Sequence, residues 1–179
     1  ATLTKTDGVC QLDFPVGTVI VKSFLFPADL RQPSEDLRLI ETRVMTLQED
    51  GWDAWPYVWT DDGSEAYKAP SGTVVDVSFV DLHGTPVTFP YLVPQRNQCV
   101  DCHEVSSKGS REKMPIGPKP RHLNVDGQLE RWIDSGFLTG APPVEESIDH
   151  APPAVSREME LAAVAGLVFG MTYWLIAGR

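Results

Sequence analysis

Cysteine is scarce in this sequence: three stand in 179 residues, Cys10, Cys99 and Cys102. An odd number with one close pair argues against a disulfide framework and leaves one local site plus a leftover thiol. Positive charge is short as well. There are 15 Lys and Arg against 25 Asp and Glu, a formal net charge of −10, which argues against nucleic acid as a partner. The start of the chain, "ATLTKTDGVC", carries no apolar export segment. If the protein is exported, such a segment has been removed and Ala1 lies near a processing site. Cys10, preceded by polar residues, reads as a free thiol rather than a lipid-bearing one.

What remains is globular in composition, 42% hydrophobic and 22% charged, with length for one ordinary domain and an appendage. The stretch "LDFPVGTVIVKSFLF" (12–26) is rich in β-branched and aromatic residues, with Gly17 marking a turn or bulge. In "LRLIETRVMTLQ" (37–48), Leu39, Glu41 and Arg43 alternate against Ile40 and Val44, a strand packed on one face. "DGW" turns the chain into the aromatic "DAWPYVWT" and the turn "DDGSE". "SGTVVDVSFVD" and "TPVTFPYLV" add strands around "LHGT". Turn signals about every ten residues predict a mainly β, antiparallel domain over 1–98.

The character changes after Pro94. "QRNQCVDCHE" opens a short helix, and "SSKGSREKMPIGPKPRH" is a Pro/Gly/Lys loop. "VDGQLERWIDSGFLTG" has Leu129, Trp132 and Ile133 at helical spacing, with Asp126 as N-cap and Gly136 as the stop. The segment 99–142 is thus expected to be a small α-helical segment distinct from the β domain. A Pro-rich acidic linker follows at 143–158. Residues 159–179 end the chain with Leu161 to Ala177 free of charge. That run has the length and apolarity of a short transmembrane helix, with Tyr173 and Trp174 where interfacial aromatics belong. A buried helix of a soluble core is the alternative. Gly166 and Gly170, with Ala162 one turn earlier, offer a small-residue face to a neighbouring helix.

The chemistry lies in "CVDCH". Two thiols separated by two residues on one helical turn match the two vinyl groups of a haem, and the following His103 presents its imidazole as the proximal iron ligand. Cys99, Cys102 and His103 are therefore the expected holders of one covalent haem c. Two competing readings need more than the sequence offers. A thioredoxin-like redox pair wants a βαβ context and no histidine. Zinc needs two further ligands, and no second cysteine pair exists; His83 and His122 would have to supply them. Met114, in "KMPIGP" eleven residues past His103, is the first candidate for the distal iron ligand and His122 the second. Met45 and His83 are outside candidates, an open position is another outcome, and His150 in the linker is expected to be solvated.

Acidic residues concentrate away from this segment: 14 against 7 basic up to Gln98, but 6 of each from Cys99 to Pro142. Lys108, Arg111, Lys113, Lys119 and Arg121 cluster there against Glu112 alone. The cluster is a solvated loop, a partner for haem propionates, or a docking patch for an acidic redox protein.

The blocks "DFPVGTVIVKSF", "RLIETRVM", "DGWDAWPYVWTDDGSEA", "VPQRNQCVDCHE", "PIGPKPRHLN" and "QLERWIDSGFLTGAPP" together resemble a bacterial c-type haem protein family. In it a β-rich domain precedes a CxxCH cytochrome segment. The resemblance runs from about Leu12 to Pro143 and implies a c-type haem domain without implying a substrate. Members of the family are longer, with sequence before and a second cytochrome-like segment after. Here the linker and the apolar run replace that later part, and only Cys99, Cys102 and His103 carry over.

The expectation is a membrane-anchored monohaem cytochrome transferring electrons on the periplasmic face of a bacterial cytoplasmic membrane. Its C-terminus would be cytoplasmic, and Arg179 agrees with the positive-inside tendency that Arg157 weakens. Its partners would be a respiratory or photosynthetic membrane complex, met through Gly166 and Gly170, and a redox protein. A haem enzyme or gas-binding protein with an open distal site, walled by "WDAWPYVW", is one alternative. A mainly structural subunit is the other.

Overall fold

The structure is a computed structural model. It describes residues 1–6, 9–107, 110–115, 127–140 and 170–177, with only the backbone described at 3–6, 9–11, 105–107, 110–111 and 170–177. Contacts gather the chain into two compact units, residues 1–16 with 115–158, and residues 17–114 with 159–179. Among the described residues, Cys99 to Met114 belongs to the second unit and Gly127 to Gly140 to the first. Among the described residues the fold is mainly antiparallel β with short helices.

In the larger unit a five-stranded sheet has the order β11-β3-β4-β5-β6. Its strands are β3 (Thr18–Pro27), β4 (Leu37–Gln48), β5 (Gly51–Trp59), β6 (Ala66–Lys68) and β11 (Gly170–Ala177). The expected turn at "DGW" is the tight link between β4 and β5, with Gly51 at φ 119, a conformation open to glycine at little cost. Gly17 (φ 90) sits in the turn before β3 rather than inside a strand.

Alternation along β4 breaks at one place, and that break shapes the unit. Phe24 pairs with Glu41 but Leu25 pairs with Leu39, so Ile40 is an extra residue, a β-bulge. A bulge lets two consecutive side chains share a face. Ile40 and Glu41 are both fully buried on the inner face, 1% and 0% exposed. Beyond it Arg43 and Met45 share that face with their cross-strand partners Lys22, Ile20, Pro56 and Ala54.

The second layer is the hairpin of β7 (Thr73–Val80) and β8 (Pro86–Val93), turned at Asp81, whose carboxylate accepts the N–H of His83 and of Thr85. Val75, Val77 and Phe79 point inward with Phe89, Tyr91 and Val93, while Val74, Asp76, Ser78 and Leu92 point out, the period of two expected from a half-buried strand. They close on Phe26, Ile40, Val58 and Ala69 to form the core. Phe26 is its aromatic centre, with ring centroids at 5.5 Å from Phe89, 5.9 Å from Tyr91 and 6.4 Å from Phe79.

The end of the chain departs from expectation. Gly170–Ala177, read as the last turns of a transmembrane helix, lies antiparallel on β3 from Gly170↔Leu25 to Ala177↔Thr18. Residues 159–169, with Gly166, lie outside the described residues. Among the described residues no helix is long and apolar enough to cross a membrane. The physical reason is that the run serves either form. Thr172, Tyr173, Trp174 and Ile176 are strand formers, an apolar run carries no period to separate helix from strand, and the edge of β3 has backbone groups to pair.

The smaller unit pairs β1 (Thr2–Thr6) with β2 (Val9–Asp13) and includes a short helix, α2, here Gln128–Asp134. Leu129 and Leu138 pack on Leu12 with Phe14, Trp132 and Ile133 around them. The helix ends as expected at Gly136 (φ 72), whose N–H reaches the Ile133 carbonyl at 3.0 Å. Gly127 (φ 68), not Asp126, occupies the N-cap, and Asp126 lies outside the described residues. The Ala1 ammonium donates to the Phe137 carbonyl at 3.0 Å.

Candidate functional site

β8 runs out at Val93 into a 3-10 turn at Arg96–Gln98 and then the helical turn α1 (Cys99–His103). The sequence predicts a loop after it. The structure places a hairpin there, β9 (Glu104–Ser107) against β10 (Ser110–Lys113). Its register pairs Lys113 with Glu104, which brings Met114 opposite His103. The Met114 N–H donates to the His103 carbonyl at 2.8 Å, and the Met114 carbonyl lies 2.8 Å from His103 Nδ1. A carbonyl only accepts, so Nδ1 carries the hydrogen, and in the neutral ring Nε2 then holds the lone pair. A histidine fixed this way by a carbonyl behind it is prepared to ligate a metal through its other nitrogen.

Cys99 and Cys102 are both free thiols on that same turn, the first half-buried and the second exposed. Three residues apart on a helix, they share a face. Burial pushes the Cys99 thiol up, and the nearby charges of Arg43 and Lys113 only partly oppose it. A dithiol redox centre needs the reverse, a depressed thiol. Among the described residues no group of three His, Cys, Asp or Glu is gathered as metal ligands.

Beneath Cys99 lies a charged cluster on the inner face of the sheet. The Arg43 guanidinium forks onto Glu41, Nε to Oε1 at 2.5 Å and Nη2 to Oε2 at 3.0 Å, and Tyr91 donates to Oε2 at 2.7 Å. Burial is the largest influence and works against the Arg43 charge, but the Glu41 hydrogen bond and carboxylate charge, with Tyr91 and Cys99, together hold the guanidinium above its ordinary value. Burial, and after it the Glu41 carboxylate, drives the Tyr91 hydroxyl far above the usual phenol range. Arg43 also stands over the Phe24 ring at 4.4 Å and Lys22 at 4.8 Å. Burial, then Arg43, lowers the Lys22 ammonium.

No family model, no curated protein and no solved structure matches the chain. The site therefore stands on its own geometry.

The other residues singled out by the sequence are dispersed. Met45 is buried in β4, and His83 sits in the exposed turn between β7 and β8. His122, His150, Lys108, Lys119 and Arg121 lie outside the described residues, as do the side chains of Cys10, Arg111 and Gly170's neighbours in β11. Of the basic cluster, Lys113 is the member the structure puts within electrostatic range of Cys99. Met114 takes part through its backbone, from the Nδ1 side of the imidazole.

Sequence reasoning missed Glu41, Arg43, Tyr91, Asp53 and Arg96 as parts of the site. Asp53 and Arg96 tie the turn to β5: Arg96 Nη2 meets Asp53 Oδ1 at 2.5 Å, and its guanidinium carbon stands 4.3 Å from the centre of the Trp55 ring. One signal was available, the pair Glu41 and Arg43 two apart in a strand, which places opposite charges side by side on one face.

Proposed function

We propose that this chain is a monohaem c-type cytochrome of the bacterial family it resembles, transferring electrons from a membrane-associated position in the periplasm. The observation that carries the reading is the His103 ring, held at Nδ1 by the Met114 carbonyl so that Nε2 is the nitrogen left for a ligand bond, next to a pair of free thiols on one helical turn. Cys99 and Cys102 would hold haem by thioethers and His103 would supply the proximal ligand. The haem, when bound, supplies one-electron exchange through its iron.

The remaining work falls to this chain's own residues. The Met114 carbonyl sets the ring orientation and raises the basicity of Nε2 by accepting from Nδ1–H. Arg43, fixed by Glu41, and Lys113 place positive charge in the surroundings of Cys99. Both thiols are presented from a turn on a β scaffold, so little ordering is left for binding to impose.

The apolar run from Leu161 to Ala177 supports attachment to the cytoplasmic membrane. In a bilayer it would span as a helix with a cytoplasmic C-terminus, its Gly166 and Gly170 face meeting an integral membrane redox complex. In water its last part pairs with β3 instead, and the two are alternatives for the same residues. Thioether attachment of haem takes place outside the cytoplasmic membrane in bacteria, which puts the soluble part in the periplasm.

A second reading, an open-site haem protein that binds gas or catalyses, gains from the placement of Met114. Met114 meets His103 through its backbone carbonyl at Nδ1, a role separate from that of a second iron ligand. His122 then remains as a distal candidate, or the position is open. Optical and EPR spectra decide: six-coordinate low-spin iron in both oxidation states supports transfer, and high-spin iron that binds CO at once supports the open site.

The test of the reading as a whole is extraction with acid acetone of protein matured with its haem. The pigment is expected to stay on the polypeptide, and in Cys102→Ala the yield of pigmented protein is expected to fall severely. Pigment that washes free of the wild-type chain, or no pigment at all, overturns it.

A further inference from the structure

We propose that Arg96 is a positioning residue that clasps the Cys99–His103 turn to β5 by docking on Asp53 and Trp55 at the outer face of the sheet. The inference rests on the reading of that turn as a haem attachment site and names what holds it in place.

Register fixes the two faces. Trp55 pairs with Val44, whereas Arg43 pairs with Pro56, so Asp53 and Trp55 point to the face opposite Arg43 and Glu41. Arg96 lies on the first pair, stacked 4.3 Å from the Trp55 centroid with Nη2 on Asp53. Cys99, three residues on, feels the charges of Arg43 and Glu41 as well as Lys113. β6 pairs β5 only from Tyr57 to Trp59, and beyond that stretch the 3-10 turn at Arg96–Gln98 and β10 lie next to β5.

Two backbone features lock the approach. Gly72 (φ 68) lies directly under the chain leaving β8. A Cβ there would stand 2.6 Å from the Val93 carbonyl oxygen and 2.9 Å from the Gln95 nitrogen, so only glycine permits the crossing. The turn carrying Gly72 is tied to β5 by Ala69 N–H to the Pro56 carbonyl at 3.0 Å, and Arg96 N–H then reaches the Pro70 carbonyl at 2.9 Å.

Asp53 is itself held. Its Oδ1 accepts the Ala54 N–H at 2.9 Å and its Oδ2 accepts Trp55 Nε1–H at 2.7 Å, so the carboxylate offers Arg96 a fixed point. Among the described residues, Arg96 Nε is the buried side-chain nitrogen left without a hydrogen-bond partner. An orphaned buried donor is destabilising, so stability by itself does not account for an arginine here, whereas a flat, forked group that locates the turn does.

The experiment compares the full chain, matured with haem, with Arg96→Met, Arg96→Lys and Lys68→Met. Lys68 stands over the same Trp55 ring at 4.3 Å but lies on β6, away from the turn. In Arg96→Met, amide hydrogen exchange at residues 97–103 is expected to speed up at least tenfold and the fraction of chains with covalent haem to fall severalfold. Exchange in β4 and the melting temperature are expected to stay as in the wild type. Arg96→Lys, keeping charge without the fork, is expected to fall between, and Lys68→Met to match the wild type; Arg96→Lys also serves if Arg96→Met does not fold. Wild-type exchange at 97–103 in either Arg96 variant overturns the clasp, and so does equal acceleration throughout β4, which marks a merely structural role. Accelerated exchange at 97–103 in a protein whose wild type carries no covalent haem overturns the haem reading and leaves the clasp standing.

Discussion

Two parts of the larger unit sit against each other and are held by different forces. The layers formed by β3 to β5 and by the β7–β8 hairpin close on a continuous apolar core around Phe26, Ile40, Val58, Val77 and Val93, where stability follows buried area. The turn of Cys99 to His103 has no buried residue of its own. Polar contacts fix it: Arg96 on Asp53, the Pro70 carbonyl, and the two hydrogen bonds between His103 and Met114. Apolar burial is non-directional and tolerates small adjustments, whereas hydrogen bonds set orientation. A rigid body carrying an oriented, accessible turn is the division of labour that the proposed haem attachment would require.

The largest effect expected from breaking this contrast is Phe26→Ala. The ring is 4% exposed among three other aromatics, and truncating such a core residue costs about 3–5 kcal/mol. Denaturant unfolding of the variant measures the loss. The His103–Met114 pair is expected to survive in the molecules that remain folded, seen as unchanged exchange of the Met114 amide. Loosening of the turn in step with the core would show that the two parts are one cooperative structure.

Glu41 stands between the two parts, and Glu41→Gln tests that. The substitution leaves Arg43 without its counter-ion and weakens the acceptor of Tyr91. Breaking a fully buried pair costs about 3–5 kcal/mol. Here roughly 2 kcal/mol is expected, because the Arg43 side chain is 33% exposed and Gln still accepts from Tyr91. The variant also leaves the field at Cys99 more positive, so the thiol is expected to titrate lower than in the wild type, measured as a faster reaction of the haem-free protein with iodoacetamide near neutral pH.

The sequence makes the first part of this contrast legible and the second only in outline. Strands β3, β4, β5, β7 and β8 follow from alternation and from turn residues at Gly17, Gly51 and Gly84, because a half-buried strand writes its period into the chain. The bulge at Ile40 is not written there: the residues around it still alternate on paper, and only the pairing with β3 reveals the extra residue. The motif Cys99, Cys102, His103 is legible because its chemistry fixes the spacing. What orients it is not, since Arg96, Asp53 and Gly72 act through contacts some 20 to 40 positions apart along the chain. The hairpin after His103 was hidden as well. "SSKGSREK" has loop composition, and its pairing is set by backbone register rather than by apolar residues. The apolar end of the chain is legible as apolar but not as helix or strand.

The exposed ends of the strands offer a smaller, third case. Hydrogen bonds from Thr60 and Ser64 hold the Asp62 carboxyl down at about 2, and Arg31 does the same for Asp29. A carboxylate whose folded pKa lies below its unfolded value near ~3.9 adds stability above that value, and the contribution is lost as pH falls toward the folded pKa. The urea midpoint is therefore expected to be level on this account above about pH 4 and to decline between about 4 and 2. Asp62→Asn should flatten that decline slightly. An unaltered acid limb would mean that the turn at Thr60 to Glu65 keeps the same hydrogen bonds when it unfolds.

The smallest change is expected where the sequence predicted one of the largest. As a distal ligand, Met114 would be indispensable to the spectrum, and Met114→Ala would turn the iron high-spin. As the residue paired with His103 through N–H and carbonyl, it contributes groups that alanine also has. Met114→Ala is therefore expected to keep covalent pigment, spin state and the imidazole hydrogen bond, with only a modest loss from packing a smaller side chain. Met114→Pro separates the two roles further. It deletes the N–H that reaches the His103 carbonyl while leaving the carbonyl that accepts from Nδ1–H, so a loss confined to this variant would place the contribution of Met114 in the main chain. A high-spin spectrum from Met114→Ala itself would instead require the β9–β10 hairpin to open and carry residue 114 to the opposite side of the imidazole, and the contrast between fixed body and oriented turn would have to be redrawn around a turn that moves.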